Sequence, residues 1–320
     1  MTQVDTLLSQ AESAKGRARL DLLKLAVSKL NSSLKTTPND VNLLFQYANT
    51  LFLLSQSHYC PVKNKLLILH DAIEKYKLLL KLDPFSETKF NLAQSLSSLY
   101  ELNDDISLLH EANSILELLL SSDQSLDYFM SHCHVLNSLF NETNDSRFIQ
   151  SAFQKLELSY QVFLEFTSER EIMHATLLTS KNDLNLLRQA LNLLENVLSI
   201  EPDNVQALCD SGDVCQTIGH LLSNTESIQF YQTALNKFTV ALSIDNTDSI
   251  SAQIATINAN LFAVTNCLDY LDVAISIFNR IPDQQVKLAV CSSWKGDLSY
   301  RGMDHEDLMD ACGDLRLTLN

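Results

Sequence analysis

The chain has 320 residues, 39 acidic against 23 basic, and a formal net charge of −16 at pH 7. Hydrophobic residues make up 46% of it, enough to bury a large core, while six glycines and five prolines leave little room for the turns of a β-rich fold. Acid in such excess repels phosphate backbones, so direct nucleic-acid binding is not expected; no apolar run comes near the roughly 18 residues that span a bilayer, so neither is a membrane role.

In chain order the sequence predicts alternating amphipathic helices. A short one over Val4–Ala14 ends at Gly16. Within Thr37–Leu54 a second places Leu44, Tyr47, Ala48 and Leu51 on its inward face, and the longest insert, Ser55–Asn64 with Pro61, follows. Further helices are expected around Phe90–Leu99, Tyr128–Phe140 and Glu169–Leu178. The stretch Asp183–Gly219 is the most regular. Leu186, Leu187, Ala190, Leu191, Leu194, Val197 and Leu198 keep the spacing of a helix with one buried stripe. Asn182 or Asp183 can cap its start, and Pro202 forces it to stop near Ile200. A second helix runs from about Asn204 to Ile218, with Gly219 placed to end it.

One pattern recurs along the chain: two bulky apolar residues, two others, then a small residue. The small residues are Ala26, Ala72, Ala112, Ala152, Ala190, Ala234, Ala274 and Cys312, spaced by 46, 40, 40, 38, 44, 40 and 38. A fixed period in this range is the signature of stacked supersecondary units that share one core. Pro38, Pro84 and Pro202 each stand twelve residues beyond an anchor, and Asn246 takes that place after Ala234.

These residues resemble the tetratricopeptide-repeat (TPR) family. Its helix B pattern falls on Ala190, Leu194, Val197 and Pro202; its helix A pattern falls on Leu208, Ser211, Gly212, Cys215 and Gly219, with Ser211 and Cys215 departing from it. The resemblance implies an all-α fold: an α-solenoid, wound as a right-handed superhelix, of about eight helix pairs over residues 1–320. Residues 1–38 would cap its N-terminal end and a truncated repeat, 286–320, its C-terminal end. The period exceeds the family's 34 residues, and the extra length is read as an added turn on each helix B together with longer A–B loops.

No catalytic constellation stands out. His132-Cys133-His134 resembles a ligand cluster, but neighbouring helix residues point about 100° apart and cannot share a metal. His58, Cys60 and His70 offer only a weak alternative near one loop. Acidic pairs such as Asp104-Asp105 and Glu306-Asp307 precede helix B anchors, where carboxylates suit a helix start. No phosphate-binding or metalloprotease motif occurs, so no catalytic residue, metal or cofactor is expected. The seven cysteines are odd in number and form no CxxC pair, which argues against a disulfide framework. With no leader-like segment at the start, a reducing compartment is expected: cytoplasm, nucleus or both, not secretion.

Function then rests on surface. The resemblance implies a concave face lined by helix A, whose partner-binding positions map to Asn42, Phe45, Asn49 and Phe52 in the second repeat and to Gln206, Cys209, Asp213 and Gln216 in the sixth. Phe45 and Phe52 read either as anchors for an apolar ligand or as core under a lengthened helix B. The family's basic clamp for Hsp70 and Hsp90 C-terminal peptides needs cations; Phe45 stands at its first lysine position, so those peptides are not expected partners. Residues 201–320 hold 16 acidic and 6 basic side chains. That surplus either keeps a long surface solvated or attracts a Lys/Arg-rich protein. The expected role is a non-catalytic adaptor or dedicated escort for such a partner. A scaffold subunit of a larger complex is the alternative, and an enzyme with an unrecognised site the remote one.

Overall fold

The computed structural model describes residues 3–57, 59–222 and 225–300 and, except at 285 and 295–300, their side chains. Among these residues it contains fifteen α-helices and no strand. The chain divides into two compact units, Met1–Leu164 and Glu165–Asn320.

The first unit holds α1 (Gln3–Ser13), α2 (Gly16–Leu34), α3 (Val41–Ser55), α4 (Val62–Leu82), α5 (Ser86–Asn103), α6 (Ile106–Ser122), α7 (Leu126–Thr143) and α8 (Ser146–Val162). Each packs on the next, and the odd helices α3, α5 and α7 also touch one another in turn. The second unit holds α9 (Ser168–Thr179), α10 (Leu184–Ile200), α11 (Val205–Leu221), α12 (Thr225–Ile244), α13 (Asp248–Thr265), α14 (Leu268–Arg280) and α15 (Gln284–Tyr300). Consecutive packing holds from α9 to α14, and α9 meets α11 as α13 meets α15. Both units are therefore stacks of helical hairpins in which the odd helices form one face and the even helices the other.

The recurrent small residues are where the even helices cross their neighbours. Ala26, Ala72, Ala112, Ala152, Ala190, Ala234 and Ala274 are all completely buried, one on each even helix. Three residues before each anchor stand Leu23, Leu69, Leu109, Ile149, Leu187, Tyr231 and Leu271, and four after it Leu30, Tyr76, Leu116, Leu156, Leu194, Phe238 and Phe278, all buried. A small side chain lets two backbones approach while the flanking large ones fill the space above and below, which is how one stripe specifies a stack. Truncating one of these leucines to alanine costs about 2–5 kcal/mol. The eighth anchor, Cys312, lies outside the described residues, as do Glu306 and Asp307 and most of the expected C-terminal repeat.

Two expectations need correction. The added length lies mainly in the helices themselves, α4 reaching 21 residues and α5 18. Four A–B connections are short, residues 104–105, 144–145, 180–183 and 266–267, while 56–61 is longer. Each short one is built the same way: Asp104, Asn144, Asn182 and Asn266 adopt positive φ, between 49° and 55°, where a short polar side chain is tolerated. The next residue is the N-cap of the following helix, and Asp105, Asp145 and Asp183 accept amide hydrogens of that helix's first turn. Gly219, secondly, does not end its helix, since α11 continues to Leu221. It is a point of contact: a Cβ there would lie 2.7 Å from Tyr231 Cε1, and one at Gly212 would lie 2.6 Å from Phe238 Cζ. Both glycines let α11 lie against the aromatic face of α12.

Candidate functional site

The odd helices of the second unit border two hollows, with Asp210 and Asp213 of α11 in their lining. Ala175, Thr176 and Thr179 of α9, Leu194 of α10, and Asp210, Asp213, Val214 and Thr217 of α11 enclose a cavity of about 230 Å³. Asp213 and Thr217 also border a wider hollow of about 550 Å³, where Gln216 and His220 of α11 meet Gln253 and Thr256 of α13 and Val290 of α15. Among the described residues no lysine or arginine lines either space.

Asp210 and Asp213 stand one helical turn apart on α11, on the same side. Gln206 Nε2 donates to Asp210 Oδ1 at 2.7 Å, and Gln253 Nε2, one repeat further on, donates to Asp213 Oδ1 at 3.2 Å. Burial pushes the Asp210 carboxyl up to about 6, which the bond from Gln206 opposes. Asp213 is pushed up to about 7 by burial and then by the charge of Asp210. By surface area Asp213 is open to solvent, yet protein crowds it on most sides. The crowding sets the direction of the shift, and water at the mouth of the hollow screens part of its size. Cys209 is half-buried beside them, its thiol raised to about 11 by burial and by Asp213, Asp210 and Asp245. A thiol held protonated in this way is not a nucleophile.

Of the sixth-repeat positions, then, Cys209 and Asp213 lie at the carboxylate pair, exposed Gln206 braces Asp210, and Gln216 lines the wider hollow. Asp210 and Gln253 belong to the same site and were not anticipated. The Gln206–Asp210 spacing of four residues was the available signal for the first of them; pairing Gln253 with Asp213 needs the distance of one full repeat.

In the first unit the second-repeat positions separate. Phe45 and Asn49 line a hollow of about 350 Å³ with Leu8, Glu12, Arg19 and Leu53. Phe45 also packs on Phe85, ring centroids 5.2 Å apart, and both Phe45 and Phe52 are half-buried against the hydrophobic core. Asn49 Oδ1 accepts from Tyr76 Oη at 2.6 Å and from Asn91 Nδ2 at 3.0 Å, tying α3 to α4 and α5. Asn42 is exposed and is not among the residues of that hollow.

The His132-Cys133-His134 run is structural, and His58 of the other candidate cluster lies outside the described residues. His132 is fully buried with its Nε2 2.9 Å from Asn113 Oδ1, and burial lowers it to about 4. The Cys133 thiol donates to the Ala152 carbonyl, while His134 faces Glu101 from the surface. Among the described residues no group of three His, Cys, Asp or Glu could hold a metal, and no helix is long and apolar enough to cross a membrane. Cys60, Cys133, Cys209, Cys215 and Cys267 are free thiols, and Cys291 is disulfide-bonded.

No protein-family model matches the sequence, and no curated protein does. Solved structures do. A tetratricopeptide repeat protein from Parabacteroides merdae ATCC 43184 superposes with a TM-score of 0.54 at 12% identity, over 99% of this chain and 99% of that one. The chain has a tetratricopeptide-repeat fold. Yeast Tom70 shares it with a TM-score of 0.50 at 16% identity, over 94% of this chain and 65% of that one. Against the 34-residue TPR unit, the helices here are longer, and helix A of a TPR hairpin corresponds to the odd helices that carry Asp210, Asp213 and Gln253.

Proposed function

We propose that this protein is a non-catalytic interaction module, an adaptor or dedicated escort, that holds a basic protein partner on the concave face of its second unit. The observation that carries this reading is the pair Asp210 and Asp213, set in a groove that no lysine or arginine of the described residues lines. Two carboxylates that burial makes costly to ionise gain most from a cation brought by another chain. Capture from an extract of the source cells on the tagged protein, eluted through rising salt and identified by mass spectrometry, tests it. The expected result is a Lys/Arg-rich partner that leaves at moderate salt, as screened charges should. Recovery of neutral or acidic partners alone overturns the reading.

One observation favours a scaffold subunit instead. Leu118, Leu158 and Val240 stand six residues beyond Ala112, Ala152 and Ala234, and are 57%, 44% and 38% exposed on the even helices. Apolar side chains repeated at one register suit permanent burial. A partner that resists high salt in the same experiment identifies this case.

A further inference from the structure

Gln206 and Gln253 each occupy one oxygen of a carboxylate, Oδ1 of Asp210 and Oδ1 of Asp213. The two Oδ2 atoms have no partner among the described residues. Beside them the smaller cavity changes character: Ala175, Leu194 and Val214 give it apolar walls, and the hydroxyls of Thr176, Thr179 and Thr217 do not complete the carboxylates' bonding. Thr176 donates to Ile172 O, Thr179 to Thr176 O and Thr217 to Asp213 O, all within their own helices.

We infer that this cavity seats one arginine side chain of an extended partner segment, its stem along Ala175, Leu194 and Val214 and its guanidinium bridging Asp210 and Asp213. The inference rests on the reading of a basic partner and makes it specific to one side chain. Arginine fits better than lysine because its planar fork reaches two acceptors at once and its aliphatic stem tolerates an apolar wall. A volume of about 230 Å³ admits one such side chain and not a folded element. The raised carboxyls are the mark of a site whose charge the protein itself leaves uncompensated.

Fluorescence anisotropy with labelled octa-arginine, and with octa-citrulline as the neutral isostere, provides the test. The paired variant Asp210→Asn/Asp213→Asn is compared with Asp269→Asn/Asp272→Asn, which removes two carboxyl groups from the exposed surface of α14. The groove pair should weaken octa-arginine binding by roughly tenfold or more, as loss of partly desolvated charge contacts does, and the surface pair by about twofold or less. Octa-citrulline should not bind. Both variants remain folded on this argument, since asparagine relieves the cost of burying charge in the groove, and thermal unfolding verifies it. Equal losses in the two pairs would reduce the effect to bulk charge and overturn the seat, as would an unaffected groove pair. If the seat fails while a salt-sensitive basic partner is still captured from extract, the functional reading survives without it. If no basic partner is captured, that reading falls whatever octa-arginine does.

Discussion

Gly212 lies beneath the ring of Phe238, where a Cβ would meet three of its carbons at 2.6, 2.7 and 2.9 Å. An alanine in a helix interior is ordinarily better than glycine by about 1 kcal/mol. Here overpacking against a fully buried ring costs about 1–3 kcal/mol and outweighs that gain. Gly212→Ala should therefore lower the denaturant midpoint of the second unit. Gly212→Ala combined with Phe238→Leu should lose less than the sum of the two single changes. A stabilised Gly212→Ala would show that α11 and α12 do not approach as closely as described.

Asn49 carries a structural load separate from any ligand. Replacing it by alanine strands the buried hydroxyl of Tyr76, at a cost of about 1–3 kcal/mol, whereas Tyr76→Phe leaves the Asn91 bond intact and costs about 1 kcal/mol. Chemical denaturation of both variants measures the difference. An Asn49→Ala chain as stable as the parent would mean that this hydrogen-bonded junction does not hold α3, α4 and α5 together.

His132 makes the first unit sensitive to acid. Its folded form is the neutral imidazole, lowered from 6.5 to about 4 by burial first and by Lys155 second. The unfolded chain takes up the proton first, so this group's contribution is whole above about pH 6.5 and is lost as pH falls towards 4. The loss amounts to roughly 3 kcal/mol. Stability measured across this range should fall less steeply in His132→Gln; an unchanged slope would assign the acid response elsewhere.

Asp213 acts with the opposite sign. Its carboxyl is raised in the folded protein, so stability is whole below the ordinary carboxylate range and is lost as pH rises towards about 7. Asp213→Asn should leave the melting temperature nearly unchanged near the ordinary carboxylate range and raise it progressively up to about pH 7, levelling off above. Solvent at the carboxyl keeps the gain modest. A variant that melts below the parent at neutral pH would mean that the carboxylate is stabilised where it stands.

The hairpin stack was legible because its determinant is local: a small residue at the crossing point, flanked by large ones three before and four after. Ala72 or Ala234 can be recognised with no knowledge of the neighbouring helix. Gly219 could not, because a sequence records the missing Cβ and not the Tyr231 ring that takes its place. The A–B turn was legible in part: Asp105 and Asp183 could be read as helix starts seven residues before Ala112 and Ala190, but the positive φ of the residue before each could not. The groove was the least legible part. Asp213 follows from the helix A register, but its pairing with Gln253 and the apolar wall from Leu194 depend on how successive hairpins are set against each other.

Trp294 of α15, buried with its ring 5.1 Å from Phe278, is the chain's single tryptophan. Its emission therefore reports on the α13–α15 neighbourhood alone. A shift to longer wavelength that precedes the loss of helical circular dichroism would reveal local loosening of α13–α15, without any label or engineered probe.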